Sequence, residues 1–276
     1  MELLLPVLTL AATGAFGGLG ALSIRWRRRS TEAAESLRPR SPRILISEDD
    51  FWGLPPAVER YLRRALPHSS VPSSVQIEQD GEFLLNGAWR TFHSTELFSV
   101  EPRGFLWEAR IRTGLFVDVR VRDSSIEGVG SMQAALAGVV RLVNLRGGSL
   151  LNVGALQRYL AETPWLPVAL LPRFGVRWEA IAEGTARATV TEGETTASLQ
   201  FTFDDAGDVM RVYAPARPRQ VGGRYELTPW AARVTNYQDR CEVRIPLESE
   251  VEWIVDGTPQ PYFRGRIVRM RCSSGS

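Results

Sequence analysis

The sequence predicts a mainly β protein with a helical insert. Its strands join one curved antiparallel sheet covered by helices, behind one N-terminal transmembrane helix. Three observations predict this. Apolar and charged residues alternate with period two through two long series of runs, which puts one set on a core face and the other in solvent. Gly-containing pairs separate many of these runs, as hairpin turns require. A stretch with helical i, i+3, i+4 spacing lies between the two series, and no βαβ alternation points to a parallel sheet.

At the N-terminus, no residue from Leu3 to Ile24 is charged, which suffices for the roughly 20 residues that span a bilayer. Gly14 and Gly18 have the GxxxG spacing that lets two such helices approach, so a homodimer through the anchor is an expected partner. Only Glu2 precedes the run, while Arg25, Arg27, Arg28 and Arg29 follow it, with Trp26 placed as an interfacial anchor. By the positive-inside rule the protein is a single-pass membrane protein with its main domain in the cytoplasm. An uncleaved export signal of unusual charge order, with the domain extracytoplasmic, is the alternative. Residues 1–24 are thus read as the anchor, and 25–50 as a basic, polar juxtamembrane linker carrying Arg38, Arg40, Arg43, Pro39 and Pro42. That linker either meets anionic lipid headgroups or is a solvated tether. Residues 51–272 are read as a single β-rich domain.

Pro55-Pro56 opens a first helix with Val58, Tyr61, Leu62 and Ala65 on one face, and Pro67 stops it. In the first strand series Trp107, Ala109 and Ile111 alternate with Glu108, Arg110 and Arg112. Val117, Val119 and Val121 alternate with Asp118, Arg120 and Arg122. Asp80-Gly81, Asn86-Gly87, Arg103-Gly104, Thr113-Gly114 and Glu127-Gly128 are the expected turns. In the insert, Leu156, Tyr159 and Leu160 form an apolar stripe and Pro164 ends the helix. The second series covers Val176–Ile181, Ala186–Thr191, Thr195–Phe203, Val209–Tyr213, Ala232–Tyr237, Val243–Ile254 and Tyr262–Arg271.

Composition excludes several classes. The net charge of +2 leaves no footprint for nucleic acid. No lysine is present, so no Walker loop exists, and the basic residues, all arginine, reflect codon usage more than chemistry. Cys241, Cys272, His68 and His93 lack zinc-ligand spacing, so no metal site is expected. No G-x-S-x-G elbow and no cofactor motif is found. His93 and the alternating Glu250 and Glu252 read as ordinary strand positions, the glutamates on a solvent face.

The candidate site centres on the insert. Arg158 and Glu162 are spaced i, i+4 beside Tyr159 and Trp165, as polar handles of an otherwise apolar pocket or as a plain surface ion pair. Asp123 continues the Val119–Val121 face, where a carboxylate needs a partner, or else starts a turn with Ser124 and Ser125, the reading preferred here.

The segment RYLAE-x-x-W-x-P-x-A-L-L-P at Arg158–Pro172 resembles an uncharacterised bacterial domain-of-unknown-function family. So do LPPAVERYL at Leu54–Leu62, Gly104-Phe105-x-Trp107, Trp178 and the Pro229-Trp230 to Tyr237 segment. The resemblance carries no activity. It implies a fold like that of the lipoprotein carriers, a half-barrel closed by helices around an apolar cavity. The expected ligand-binding residues are therefore Arg158, Tyr159, Glu162, Trp165, Trp107, Asp123 and Trp178. The expected function is a membrane-tethered module for a lipid or another apolar small molecule, with no cofactor. An enzyme acting on a hydrophobic molecule, or an anchored interaction scaffold, are the alternatives.

Overall fold

Both strand series enter one antiparallel sheet. The computed structural model describes residues 24–114 and 118–272, so the apolar run before Ile24, its Gly14–Gly18 pair and Val117 lie outside the described residues. Among the described residues no helix is long and apolar enough to cross a membrane. The first series forms β3 (Ser74–Leu85), β4 (Ala88–Ser99), β5 (Gly104–Arg112), β6 (Asp118–Ile126), β7 (Val129–Leu136) and β8 (Val140–Arg146). The second forms β9 (Arg177–Ala182), β10 (Thr185–Glu192), β11 (Thr195–Phe203), β12 (Val209–Val221), β13 (Arg224–Arg240), β14 (Val243–Val255) and β15 (Thr258–Cys272). Each series is a meander, and the 13-stranded sheet runs β8-β7-β6-β5-β4-β3-β15-β14-β13-β12-β11-β10-β9. The last strand, β15, pairs with the first of the meander, β3, and so welds the two series together.

The chain crosses from one edge of this sheet to the other through helix α3 (Ser149–Glu162) and three 3-10 turns, Thr163–Trp165, Pro167–Leu170 and Pro172–Phe174. A proline in the first turn of each starts it with a preset φ. The helix touches β6 and β7 on one arm and β10, β11 and β12 on the other. Flat, β7 and β11 would lie about 40 Å apart at roughly 4.8 Å per strand. A helix is only about 10 Å across. The sheet is therefore curled around α3, and its concave face is the core. There Tyr159 stacks on Phe98 with centroids 4.7 Å apart, and Leu156, Leu160, Leu166 and Leu170 are fully buried. Helix α2 (Pro56–Ala65) buries Val58, Tyr61, Leu62 and Ala65, the face its sequence presents.

Three expectations change. Asp80-Gly81 is not a turn but the middle of β3. A Cβ on Gly81 would lie 2.0 Å from the Arg264 carbonyl oxygen and 2.9 Å from the Gly265 Cα, so the glycine serves close backbone approach at the β3–β15 seam. Gly130 likewise lies within β7, where a Cβ would lie 2.9 Å from Ala155 of α3. Second, the stretch 25–50 carries structure. Residues 24–36 form helix α1, β1 (Arg43–Leu45) pairs with β2 (Ser70–Pro72), Glu48–Phe51 is a 3-10 turn, and Leu37 is fully buried. Helix α1 docks on the convex face: Arg122 of β6 donates to the Trp26 carbonyl at 2.8 Å, to Ser30 Oγ and to Glu108, and stacks 4.3 Å over the Trp26 ring. Third, Glu252 is buried rather than solvated, held by Arg233 at 2.7 Å.

Candidate functional site

The concave face of β4 carries Phe92, Ser94, Glu96 and Phe98, opposite Ile111, Ala109, Trp107 and Phe105 of β5. Asp123 in β6 is the register partner of Trp107. It is mid-strand, so the turn reading of Asp123 is wrong; the core-face reading holds. The strand alternation brings Glu96, Trp107 and Asp123 into one row, and α3 lays Arg158 across it. The Arg158 Nε donates to Glu162 at 2.8 Å, and Nη1 donates to Asp123 at 2.7 Å. Nη2 lies 3.8 Å from Glu96. The guanidinium lies 4.8 Å over the Phe105 ring and 5.0 Å over that of Trp107. Side-chain exposure is 19% for Arg158, 23% for Asp123, 13% for Glu162 and 0% for Glu96.

One guanidinium thus meets three carboxyls in a largely desolvated place. Burial first, and then the charge of Glu162, push the Glu96 carboxyl well above the usual carboxylate range, against the pull of Arg158. A hydrogen bond between the Glu96 and Glu162 carboxyls acts in the same direction, favouring the protonated form of Glu96. Burial disfavours the charge on Arg158, but Glu162, Asp123 and Glu96 together outweigh it and raise its pKa.

From Trp107 an aromatic strip runs across the concave face. Trp107 meets Phe92 edge-on at 6.1 Å, Phe92 stacks on Phe263 at 5.1 Å, and Phe263 meets Phe83 at 6.4 Å. Phe83 meets Tyr262 at 5.8 Å, and Tyr262 stacks on Trp253 at 5.9 Å. Trp230 Nε1 donates to the Tyr262 hydroxyl at 3.0 Å. At this end Arg217 lies 4.8 Å over the Trp230 ring, and Arg219 lies 5.5 Å over that of Trp253. Both face inward because the β12–β13 register shifts between Ala214 and Arg217, which reverses which side chains point to the core.

The structure therefore brings together four of the seven residues expected from the sequence: Arg158, Glu162, Asp123 and Trp107. The other three are packing. Tyr159 is buried on Phe98, and Trp165 is buried in the core. Trp178 sits against Phe201 and donates to the Leu170 carbonyl at 3.0 Å. Glu96, Arg217 and the aromatic strip escaped sequence reading. The signal for Glu96 is a carboxylate in phase with Phe92 and Phe98; His93 lies on the other face and pairs with Asp80 at 2.8 Å. Two open hollows, about 530 and 540 Å³, lie elsewhere: one beside α1 with Trp26 and Arg120, the other around Gly81, Glu250 and Arg264. None of the seven expected residues lines either. Among the described residues no group of three His, Cys, Asp or Glu is placed to hold a metal ion. Cys241 and Cys272 are free thiols side by side; burial, then the neighbouring thiol, push Cys241 up to about 12.

No protein of curated function matches this sequence. Among solved structures, the chain is similar to a domain of a putative outer membrane lipoprotein-sorting protein from Vibrio parahaemolyticus. The identity is 11%, covering 74% of this chain and 87% of that one, with a TM-score of 0.44. A LolA superfamily protein from Nitrosomonas europaea matches at 10% identity, covering 80% and 93%, with a TM-score of 0.41. A DUF1329 family protein from Desulfovibrio piger matches at 11%, covering 80% and 93%, with a TM-score of 0.44. The profile of a family of unknown function (DUF6544) matches residues 45–265, which takes in α2, most of the sheet, α3 and the whole Arg158 cluster, and the chain belongs to that family.

Proposed function

We propose that the protein is a membrane-tethered binding module that holds a lipid or another apolar ligand against the concave face of its sheet. One observation carries this reading. Phe83, Tyr262, Phe263 and Trp253 form a continuous aromatic strip, yet each is only partly buried. Water-exposed aromatic surface is costly, roughly 25 cal/mol per Å², and a contiguous patch of it marks a place where something apolar lands. The tether in this reading is the apolar run Leu3–Ile24, which in sequence leads directly into α1, docked on the domain through Trp26 and Arg122.

The test is native mass spectrometry of the full chain released from mild detergent, together with Trp emission during titration with decyl glucoside. Wild type retains a lipid and shows a blue shift, and Phe263→Glu (F263E) shows neither. A wild-type protein with no bound lipid and unmoved emission overturns the reading.

A further inference from the structure

Resting on that reading of the aromatic strip, we propose that Arg217 and Arg219 form the headgroup site of the ligand, an amphiphile with a single alkyl or acyl chain and a phosphate head. The chain lies along Trp253, Tyr262 and Phe263, and the phosphate oxygens take the two guanidiniums.

The contrast with Arg158 carries the inference. Arg158 has its charge met by carboxylates of this chain. Among the described residues no carboxylate lies within 4 Å of Arg217 or Arg219, and Glu226, the register partner of Arg219, is exposed and makes no ion pair with it. The Arg217 Nη1 is out of solvent and has no hydrogen-bond acceptor. A buried cationic donor without an acceptor is an unmet demand that an external oxyanion satisfies. Burial first, and the nearby charge of Arg158 as well, push the Arg217 guanidinium below its ordinary value, the direction a missing counter-ion produces. Asp123 and Glu162 are within electrostatic reach of it but are engaged by Arg158.

Geometry selects phosphate. Arg217 and Arg219 are two residues apart on one strand, on the same side, their guanidiniums 4.8 and 5.5 Å over the Trp230 and Trp253 rings. Two planar guanidinium forks side by side, neither of them paired to a carboxylate, suit a phosphate with several acceptor oxygens. The Tyr262 hydroxyl accepts from Trp230 and keeps its own proton to donate; burial holds its pKa above the ordinary value, so that proton stays on. The site begins where the aromatic strip ends, so a head and a tail are accommodated at once.

The experiment is a calorimetric titration of the full chain with decyl phosphate, decyl glucoside and inorganic phosphate, each amphiphile below its critical micelle concentration. Wild type is expected to bind decyl phosphate at least ~10-fold tighter than decyl glucoside, and inorganic phosphate at least ~10-fold more weakly than decyl phosphate. Arg217→Gln should bring decyl phosphate to within about 2-fold of decyl glucoside, and Arg217→Lys should keep part of the preference. Melting curves of both variants establish that they are folded. Phe263→Ala should weaken both amphiphiles and leave their ratio unchanged. Equal affinity of wild type for the two amphiphiles overturns the headgroup site and leaves the apolar-ligand reading standing. Inorganic phosphate binding as tightly as decyl phosphate identifies a free-anion site and overturns the amphiphile. Failure of both amphiphiles removes the apolar-ligand reading and this inference with it.

Discussion

Two arginine–carboxylate clusters occupy opposite faces of the same sheet. On the concave face Arg158 meets Glu162 and Asp123 at 2.8 and 2.7 Å, with Glu96 behind. On the convex face Arg264 meets Glu250 at 2.7 Å, and Arg233 reaches the same carboxylate at 3.9 Å. The close contacts are equal in length. Their surroundings are not: Arg264 is 51% exposed and Glu250 34%, whereas the Arg158 partners are largely shielded by α3 and the aromatic strip. In water the attraction between a pair is offset by screening and by the entropy of holding two side chains still. Where water is excluded, the charges have already lost their hydration, and each partner becomes necessary to the others. Contact distance alone therefore says little about what a pair contributes.

The sharpest way to break this comparison is Arg158→Ala. It leaves Asp123 and Glu162 without their cation and uncovers Phe105 and Trp107, so stability should fall by about 3 kcal/mol in a urea titration. A variant as stable as wild type would place the concave cluster with the convex one.

A second test uses protons. The folded-state pKa of Glu96 is raised, so its stabilising contribution is complete below the ordinary carboxyl pKa and is lost as pH rises through the folded value. Glu96→Gln keeps the neutral shape at every pH. It should match wild type near pH 4 and be the more stable protein at pH 9, by melting temperature. Identical pH profiles for the two proteins would show that Glu96 titrates normally.

Trp26→Ala probes the convex face where Arg122 is buried beneath α1. Loss of the ring should cost about 1 kcal/mol and speed hydrogen exchange over residues 24–36, because a stacked and partly desolvated cation is involved. Unchanged exchange there would mean that α1 is held by its backbone contacts alone. Arg264→Ala should do least: under about 1 kcal/mol, and less still in high salt, since the pair is open to solvent.

Much of the sheet was legible because its signals are local. Asn86-Gly87, Glu127-Gly128 and Asp256-Gly257 all adopt left-handed pairs, with φ of 50° and 76°, 52° and 76°, and 50° and 76°. A two-residue turn needs such residues wherever the chain goes. Asp80-Gly81 carries the same signature and means something else, because the demand for glycine there comes from β15, far along the chain. Of the candidate site, the Arg158–Glu162 pair was legible as one turn of a helix. Arg217 was not. Its inward direction depends on a register shift in β12, and a single extra residue reverses every side chain after it.

By itself, the sequence determined many of the elements: the central runs of most strands, hairpin turns such as Asn86-Gly87 and Glu127-Gly128, which stripe of α3 is apolar, and to which family the chain belongs. Those properties rest on backbone sterics and side-chain periodicity over a few residues, and they hold in any surroundings. The tertiary structure alone decided that β15 closes on β3, that the sheet curls around α3, and that α1 docks on the outside. It also decided that Glu96 is buried, that Arg158 is saturated and that Arg217 is not. Each of these depends on which distant strand removes water from a given side chain, and desolvation is set by the assembled neighbours.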